Sequence, residues 1–148
     1  MEYPTSQSET VEHIMSEHEH LREKAQRIHT VLAQPEPSAA EIQTVLDEFR
    51  TALVVHFSNE EDDGFFQEIK AHSPQLADRA SKLCLEHREL MHDANELCRY
   101  AAAGAPSMPW WRELSSRCQA FSKRLIRHEL EESKLLVDSH QGDLCNFK

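Results

Sequence analysis

The sequence predicts an all-α protein in which an up-down-up-down antiparallel four-helix bundle forms a single domain over residues 1–148. Its apolar residues recur at alternating steps of three and four, the period of a helix that packs along one face. Breaks rich in Pro, Gly and Ser divide the chain into four such segments with short connections, as in antiparallel bundles. No segment sustains the alternation of apolar and polar residues that a half-buried strand requires, so no sheet is expected.

The first helix is expected over residues 9–33. Ser6 and Glu9 have the spacing of a capping box, in which paired side chains close a helix N-terminus. The run Gln34–Pro37 ends this helix because its two prolines cannot continue one. The predicted inward face carries Val11, Ile14, His18, Leu21, Ala25, Ile28 and Leu32.

The second helix is expected over residues 39–71, where Ser38 and Glu41 form another capping box. Gly64 lies inside this segment, at a position where the helix can bend or be interrupted. The predicted inward face carries Ile42, Val45, Phe49, Ala52, His56 and Glu60.

The third and fourth helices are expected over residues 74–103 and 108–138. Ser73 is a suitable N-cap, and Pro74 suits the first helical position. The run Ala103–Ser107 contains a Gly and a Pro and separates the two helices. The inward face of the third helix carries Leu76, Ala80, Leu83, His87, Leu90, Ala94, Leu97 and Ala101. That of the fourth carries Trp111, Leu114, Cys118, Phe121, Leu125, His128, Glu132 and Leu135.

Each inward face is interrupted by one histidine, and two faces carry a glutamate one turn later. At ~1.5 Å rise per residue, His18 and His56 lie about 23 Å from the first connection. The other two histidines match within about a turn if the connection before the fourth helix absorbs some residues. Burying two carboxylates beside four imidazoles is costly unless a cation binds them. We therefore predict a metal site whose ligands are His18, His56, Glu60, His87, His128 and Glu132.

Six further histidines lie off the inward faces. Those expected at the surface are His13, His29, His72 and His140. Those expected at the rim of the site, or behind its ligands, are His20 and His92. The pairs His13/Glu17 and His92/Glu96, which share the HxxxE spacing of the site, are expected on solvated helix faces. Glu61 can orient a ligating histidine as a hydrogen-bond acceptor.

The charge of the chain limits its partners. Sixteen basic against 26 acidic residues leave a net charge of −10, which disfavours nucleic acids and anionic membranes. The longest apolar runs fall far short of the ~20 residues of a membrane span. Four cysteines without a CxxC pair, and a first segment without a secretory signal pattern, favour a cytoplasmic protein with reduced thiols. No sequence feature identifies a protein partner.

The chain resembles the hemerythrin-like, HHE cation-binding family in four ordered motifs, which are His18, His56–Glu60, Glu86–Leu90 and His128–Glu132. The resemblance covers residues 11–137. It implies a four-helix bundle around two non-haem iron ions, each bound by two of the four histidines. By the same resemblance Glu60 and Glu132 bridge the ions, together with an oxo or hydroxo group.

Within this family the chain is similar to the branch with four histidines and two glutamates. Oxygen-carrying hemerythrins have a fifth ligating histidine, in an HxxxH motif on the third helix, where this chain has Met91 four residues after His87. They have HxxxxD on the fourth helix, where this chain has Glu132 four residues after His128. The branch it matches resembles iron- and oxygen-responsive domains and repair-type diiron proteins.

We expect a diiron protein that binds dioxygen, nitric oxide or peroxide in a response to oxygen, redox state or iron. One alternative is an iron- or oxygen-sensing interaction domain that carries no ligand. A second is a diiron redox enzyme of the repair or peroxidase type, which is disfavoured because no inward-facing residue is an evident proton donor. A bundle without metal, or with zinc or manganese in the same cage, also fits these residues.

Overall fold

The computed structural model describes the backbone of residues 3–62, 64–104 and 106–145, and side chains within residues 12–139. The predicted placements of Val11 and His140 therefore lie outside the described side chains. The helices are α1 (Tyr3–Leu32), α2 (Ala39–Asp62), α3 (Phe65–His72), α4 (Ala77–Ala103) and α5 (Met108–Cys145). Over the described residues there is no strand, and no helix is both long and apolar enough to cross a membrane.

The four-helix bundle predicted from the sequence is confirmed. α1 packs against α2 and α5, and α4 packs against the same two helices, so the four long helices form a closed ring. The short connections make neighbours in the chain antiparallel. The short helix α3 follows α2 in the chain and contacts α2, α4 and α5.

Two helices extend beyond their predicted ends. α1 begins at Tyr3 rather than at residue 9, because Pro4 is tolerated in a first helical turn and no breaker follows it. The expected capping box at Ser6 is therefore not the start of the helix. α5 continues to Cys145 rather than ending at residue 138, since the isolated Gly142 costs only about 1 kcal/mol relative to Ala in a helix.

The predicted second helix is interrupted, and the third begins later than expected. Gly64 has φ +82° and stands between α2 and α3, so the second rod consists of two helices. Pro74–Leu76 form a 3-10 turn, and α4 begins after it at Ala77. The left-handed backbone at Gly64 redirects the chain so that Phe65 and Phe66 are both buried, at 3% exposure each.

The core consists of two apolar clusters. The larger includes Leu21 of α1, Leu53 of α2, Leu90 of α4 and Leu125 of α5. The smaller includes Ile14, Leu83 and Leu135 from three of the same helices, with both phenylalanines of α3. Along α1, α4 and α5 the predicted site histidine lies between a residue of one cluster and a residue of the other. The polar layer is therefore enclosed by apolar side chains at both ends.

The inward faces are broader than the predicted stripes. Leu53, Phe57 and Trp110 are buried, whereas Ala52 and Trp111, which were predicted to face inward, are only partly buried. A bundle helix contacts two neighbours, so it buries a wider face than a single line of residues at steps of three and four.

Replacing Gly64 by alanine is expected to lower the free energy of unfolding by about 1–2 kcal/mol, because a Cβ disfavours the left-handed backbone. Gly64→Asn should lower the free energy of unfolding by less, since asparagine tolerates this conformation better than alanine does. Denaturant unfolding of the metal-free protein measures both. If alanine were no worse than asparagine, the left-handed conformation would not be required for folding.

Candidate metal centre

Four imidazoles meet in one buried layer, one from each long helix. His18 of α1, His56 of α2, His87 of α4 and His128 of α5 are all at most 2% exposed. They form two pairs, because the ring centroids lie 4.8 Å apart for His18 and His56 and 4.9 Å apart for His87 and His128. The matching heights predicted from the sequence are therefore realised in the fold.

Two glutamates lie between the two pairs of imidazoles, and both are buried, Glu60 at 1% and Glu132 at 0% exposure. Glu60 Oε1 is 3.3 Å from Nε2 of His56 and 3.1 Å from Nε2 of His87. Glu132 Oε1 is 3.2 Å from Nε2 of His18 and 3.5 Å from Nε2 of His128. Each carboxylate thus reaches one histidine of each pair.

The six side chains form two overlapping groups that could each hold a cation. One group is His18, His56, Glu60 and Glu132, and the other is Glu60, His87, His128 and Glu132. Within each group the ligand atoms all lie within 4.8 Å of one another. Both glutamates belong to both groups, so the arrangement provides two adjacent positions that share their carboxylates.

The arrangement of these atoms suits a bound cation better than hydrogen bonds between the side chains. The Nε2 atoms and all four carboxylate oxygens are buried, and none has a hydrogen-bond partner among the described residues. Their separations resemble the spacing of about 3.0–3.4 Å between ligands that surround one ion at about 2.1 Å. Unpaired buried donors and acceptors cost about 1–3 kcal/mol each, and a bound cation removes that cost.

The charges in the layer also favour a cation. Burial and the neighbouring Glu132 carboxylate raise the pKa of Glu60 well above its ordinary value. Burial opposes the ionisation of Glu132, but the Glu60 carboxyl and the surrounding imidazoles hold its pKa well below the ordinary value. These opposite shifts favour a proton on Glu60 beside Glu132 in the metal-free protein, and a divalent cation can take the place of that positive charge.

Three of the imidazoles are held by carboxylates on their outer side. His56 Nδ1 donates to Glu17 Oε1 at 3.1 Å, His87 Nδ1 to Glu61 Oε2 at 2.8 Å, and His128 Nδ1 to Glu86 Oε1 at 2.8 Å. Asn59 Nδ2 donates to the other Glu17 oxygen at 2.8 Å. A hydrogen bond at Nδ1 leaves the Nε2 lone pair directed into the layer, as a metal ligand requires.

The electrostatic effect of these partners differs between the imidazoles. Burial lowers the pKa of His56 in spite of its hydrogen bond to Glu17, which favours the neutral form of this ring. Burial also favours the neutral form of His128, but Glu132 and Glu86 outweigh it and raise the pKa. The acidic groups around His128 thus attract a positive charge to this part of the layer.

Aromatic rings cover one side of the centre. Phe57 stacks on His87 with centroids 3.9 Å apart and planes 10° apart, and it meets His128 edge-on at 5.7 Å. Phe66 of α3 meets His87 edge-on at 5.5 Å. These contacts fix the ring planes and exclude water from the α2, α4 and α5 side of the layer.

The structure brings together all six residues predicted as ligands. His13, His20, His72 and His92 are exposed, which confirms the surface placement of His13 and His72. His29 was predicted at the surface, but it is partly buried and hydrogen-bonded to Ser122 Oγ at 3.1 Å. That contact between α1 and α5 accounts for its burial.

The sequence interpretation of Glu17 was wrong, and Glu86 was not singled out as an orienting group. Glu17 was placed on a solvated face, but its side chain is only 18% exposed and contacts His56 and Asn59. The orienting role considered for Glu61 is confirmed by its hydrogen bond to His87. A usable signal exists in the sequence, because each of these glutamates is adjacent to a predicted ligand.

Comparison with known proteins identifies one family. A family model described as the hemerythrin HHE cation-binding domain matches residues 9–138. No curated protein and no solved structure matches the chain. The family match covers every residue of the buried layer.

Proposed function

This chain belongs to the hemerythrin HHE cation-binding domain family, and from that premise we propose that it is a non-haem diiron protein that binds dioxygen or a related small ligand. Nitric oxide and peroxide are the related ligands, and the setting is a cytoplasmic response to oxygen, redox state or iron. The observation that carries the proposal is the buried layer of imidazole and carboxylate atoms without hydrogen-bond partners among the described residues. The two overlapping groups in that layer support two ions rather than one.

In this proposal each pair of histidines holds one ion. His18 and His56 would hold the first ion, His87 and His128 would hold the second, and Glu60 and Glu132 would be available to both. When bound, two iron ions supply exchangeable electrons and free coordination positions for a small ligand. The protein supplies the surroundings: Glu17, Glu61 and Glu86 keep the imidazoles oriented, and Phe57 with Phe66 restricts access by water.

A second candidate function is iron or oxygen sensing without ligand carriage. One buried layer joins all four long helices, because each helix contributes one histidine to it. Loss of the ions would leave buried carboxyl and imidazole atoms without partners in the layer and loosen the contacts between helices. A change of that kind can alter a partner contact. A diiron redox enzyme is a third candidate, and steady-state turnover with peroxide is its test.

Anaerobic reconstitution with Fe(II) tests the proposed function. We expect two iron ions per chain and an optical change when dioxygen is added to the diferrous protein. Recovery of the diferrous spectrum after removal of the gas would support carriage, and irreversible oxidation would support sensing or redox chemistry. Zinc and manganese are titrated in parallel, since His and carboxylate ligands do not select iron alone. A protein that takes up no iron, or shows no change with dioxygen, nitric oxide or peroxide, would contradict the proposal.

His87→Ala is the matched test of the site residues, with the exposed His92→Ala as its control. Both variants remove one imidazole from α4, but only His87 faces the layer. We expect His87→Ala to lose at least one ion and His92→Ala to bind two.

A further inference from the structure

Three carboxylates hold histidines of the centre in a regular order around the bundle. Each carboxylate lies on one helix and contacts the histidine of the next helix around the ring. The pairs are Glu17 of α1 with His56 of α2, Glu61 of α2 with His87 of α4, and Glu86 of α4 with His128 of α5. His18 of α1 is the remaining imidazole, and neither of its ring nitrogens has a hydrogen-bond partner among the described residues.

The position of each carboxylate in the chain depends on the direction of its helix. Glu17 and Glu86 precede a site residue on α1 and α4, which run in the same direction. Glu61 follows a site residue on α2, which runs in the opposite direction. Since adjacent residues are rotated by about 100° around a helix, reversing the helix exchanges preceding and following positions. The pattern therefore requires an acidic residue directly after a site residue on α5, which is Glu129.

Glu129 is buried, and its carboxylate has no hydrogen-bond partner among the described residues. Its exposure is 2%, and neither carboxylate oxygen has a hydrogen-bond partner within the described part of the chain. Arg22 Nε lies 3.4 Å from Glu129 Oε2, but the Arg22 side chain is 60% exposed and approaches from the solvent side. A carboxylate that is buried to this degree is expected to have a partner on its inner side.

Contacts between α1 and α5 place Glu129 beside His18. On α1, His18 and Arg22 are four residues apart on one face, and on α5, Glu129 and Glu132 are three residues apart. Arg22 contacts Glu129, and His18 Nε2 lies 3.2 Å from Glu132 Oε1. Glu129 is therefore within one helical turn of His18.

We propose that Glu129 is the positioning residue of His18, whose Nδ1–H it accepts, so that four carboxylate–imidazole pairs form a closed ring around the metal centre. The inference rests on the proposed function, because His18 would be a ligand of only the first of two ions. It assigns Glu129 to that ion alone, although Glu129 follows His128, a ligand of the second. The adjacent residues His128 and Glu129 would thus serve different ions, His128 as a ligand of the second and Glu129 through His18 at the first.

The test is an anaerobic Fe(II) titration of the whole chain against a competing chelator, which resolves two dissociation constants. Glu129→Leu is expected to raise the dissociation constant of one ion about 10- to 100-fold and to leave that of the other ion unchanged. Glu129→Gln keeps an acceptor oxygen and should therefore recover most of the iron affinity that Glu129→Leu loses. It also provides the test if the leucine variant does not fold. Glu86→Leu should weaken binding of the other ion. The double variant, Glu86→Leu with Glu129→Leu, should weaken binding of both ions. Glu131→Leu, which removes a nearby, more exposed carboxylate of α5, is the control and should change neither constant.

A purely structural role for Glu129 makes a different prediction. If it served only to pair with Arg22, then Arg22→Gln would reproduce the effect of Glu129→Leu on both stability and iron binding. Equal weakening of both ions by Glu129→Leu, or no weakening, would also overturn the inference while the proposed function stands. Wild-type protein that binds no iron would overturn both.

Discussion

Glu60→Leu is expected to abolish binding of both ions rather than of one, with each dissociation constant raised at least about 100-fold, more than an orienting partner contributes. The reason is that Glu60 belongs to both groups of potential ligands and lies within 3.3 Å of a histidine of each pair. Iron counting after anaerobic reconstitution measures the loss. Asp62→Leu, which removes an exposed carboxylate two residues away, is the control and should retain two ions.

The same substitution should not destabilise the metal-free protein. Burial already raises the pKa of Glu60, which favours its neutral form, and its carboxyl oxygens have no hydrogen-bond partner among the described residues. Replacing buried ionisable groups by apolar side chains is often neutral or stabilising by about 1–4 kcal/mol. Denaturant unfolding with chelator present tests this. If Glu60→Leu kept one ion at wild-type affinity, the glutamate would not be shared between two positions.

Removal of the metal is expected to lower the midpoint of thermal unfolding by about 10 °C. An ion present at 1,000 times its dissociation constant stabilises the folded state by about 4 kcal/mol, and each kcal/mol moves the midpoint of a protein of this size by about 2–4 °C. The buried layer gives the physical reason, since without a cation its carboxyl oxygens and imidazole Nε2 atoms have no hydrogen-bond partner among the described residues. Circular dichroism of iron-loaded and chelator-treated protein measures the shift.

Two variants distinguish this stabilisation from a general effect of the chelator. His92→Ala should show the same shift as the wild type, because His92 is exposed. Glu60→Leu should show almost no shift, because it has no ion to lose. An unchanged midpoint in the wild type would mean that the layer does not couple metal binding to folding.

The fold was predictable because helical packing leaves its period in the sequence. Residues such as Leu21, Leu90 and Leu114 recur at steps of three and four and are buried as predicted, at 1%, 1% and 0% exposure. The helix ends were less predictable. Ser6 resembled a cap although the helix begins earlier, and the break at Gly64 depends on the burial that it allows for two phenylalanines. Local sequence signals allow a helix to begin or end at several positions, and tertiary packing decides which of these positions is used.

The predicted ligands could be found because they replace apolar residues on inward faces. His18, His56, His87 and His128 follow the same period as the leucines around them, so their direction could be deduced from one helix at a time. The orienting glutamates could not be found in this way. Glu17, Glu61 and Glu86 lie about 100° from the inward face, where a side chain can meet either solvent or a neighbouring helix.

By itself the sequence determined four amphipathic helices, six inward-facing polar residues and their common level, because all of these follow from periodicity and rise within single helices. Only the tertiary structure decided which helices are neighbours, which histidines form pairs and which carboxylate meets which imidazole. Those relations depend on the rotation and lateral offset of one helix against the next. Side-chain packing across two helices sets these quantities, and no pattern within one helix records them.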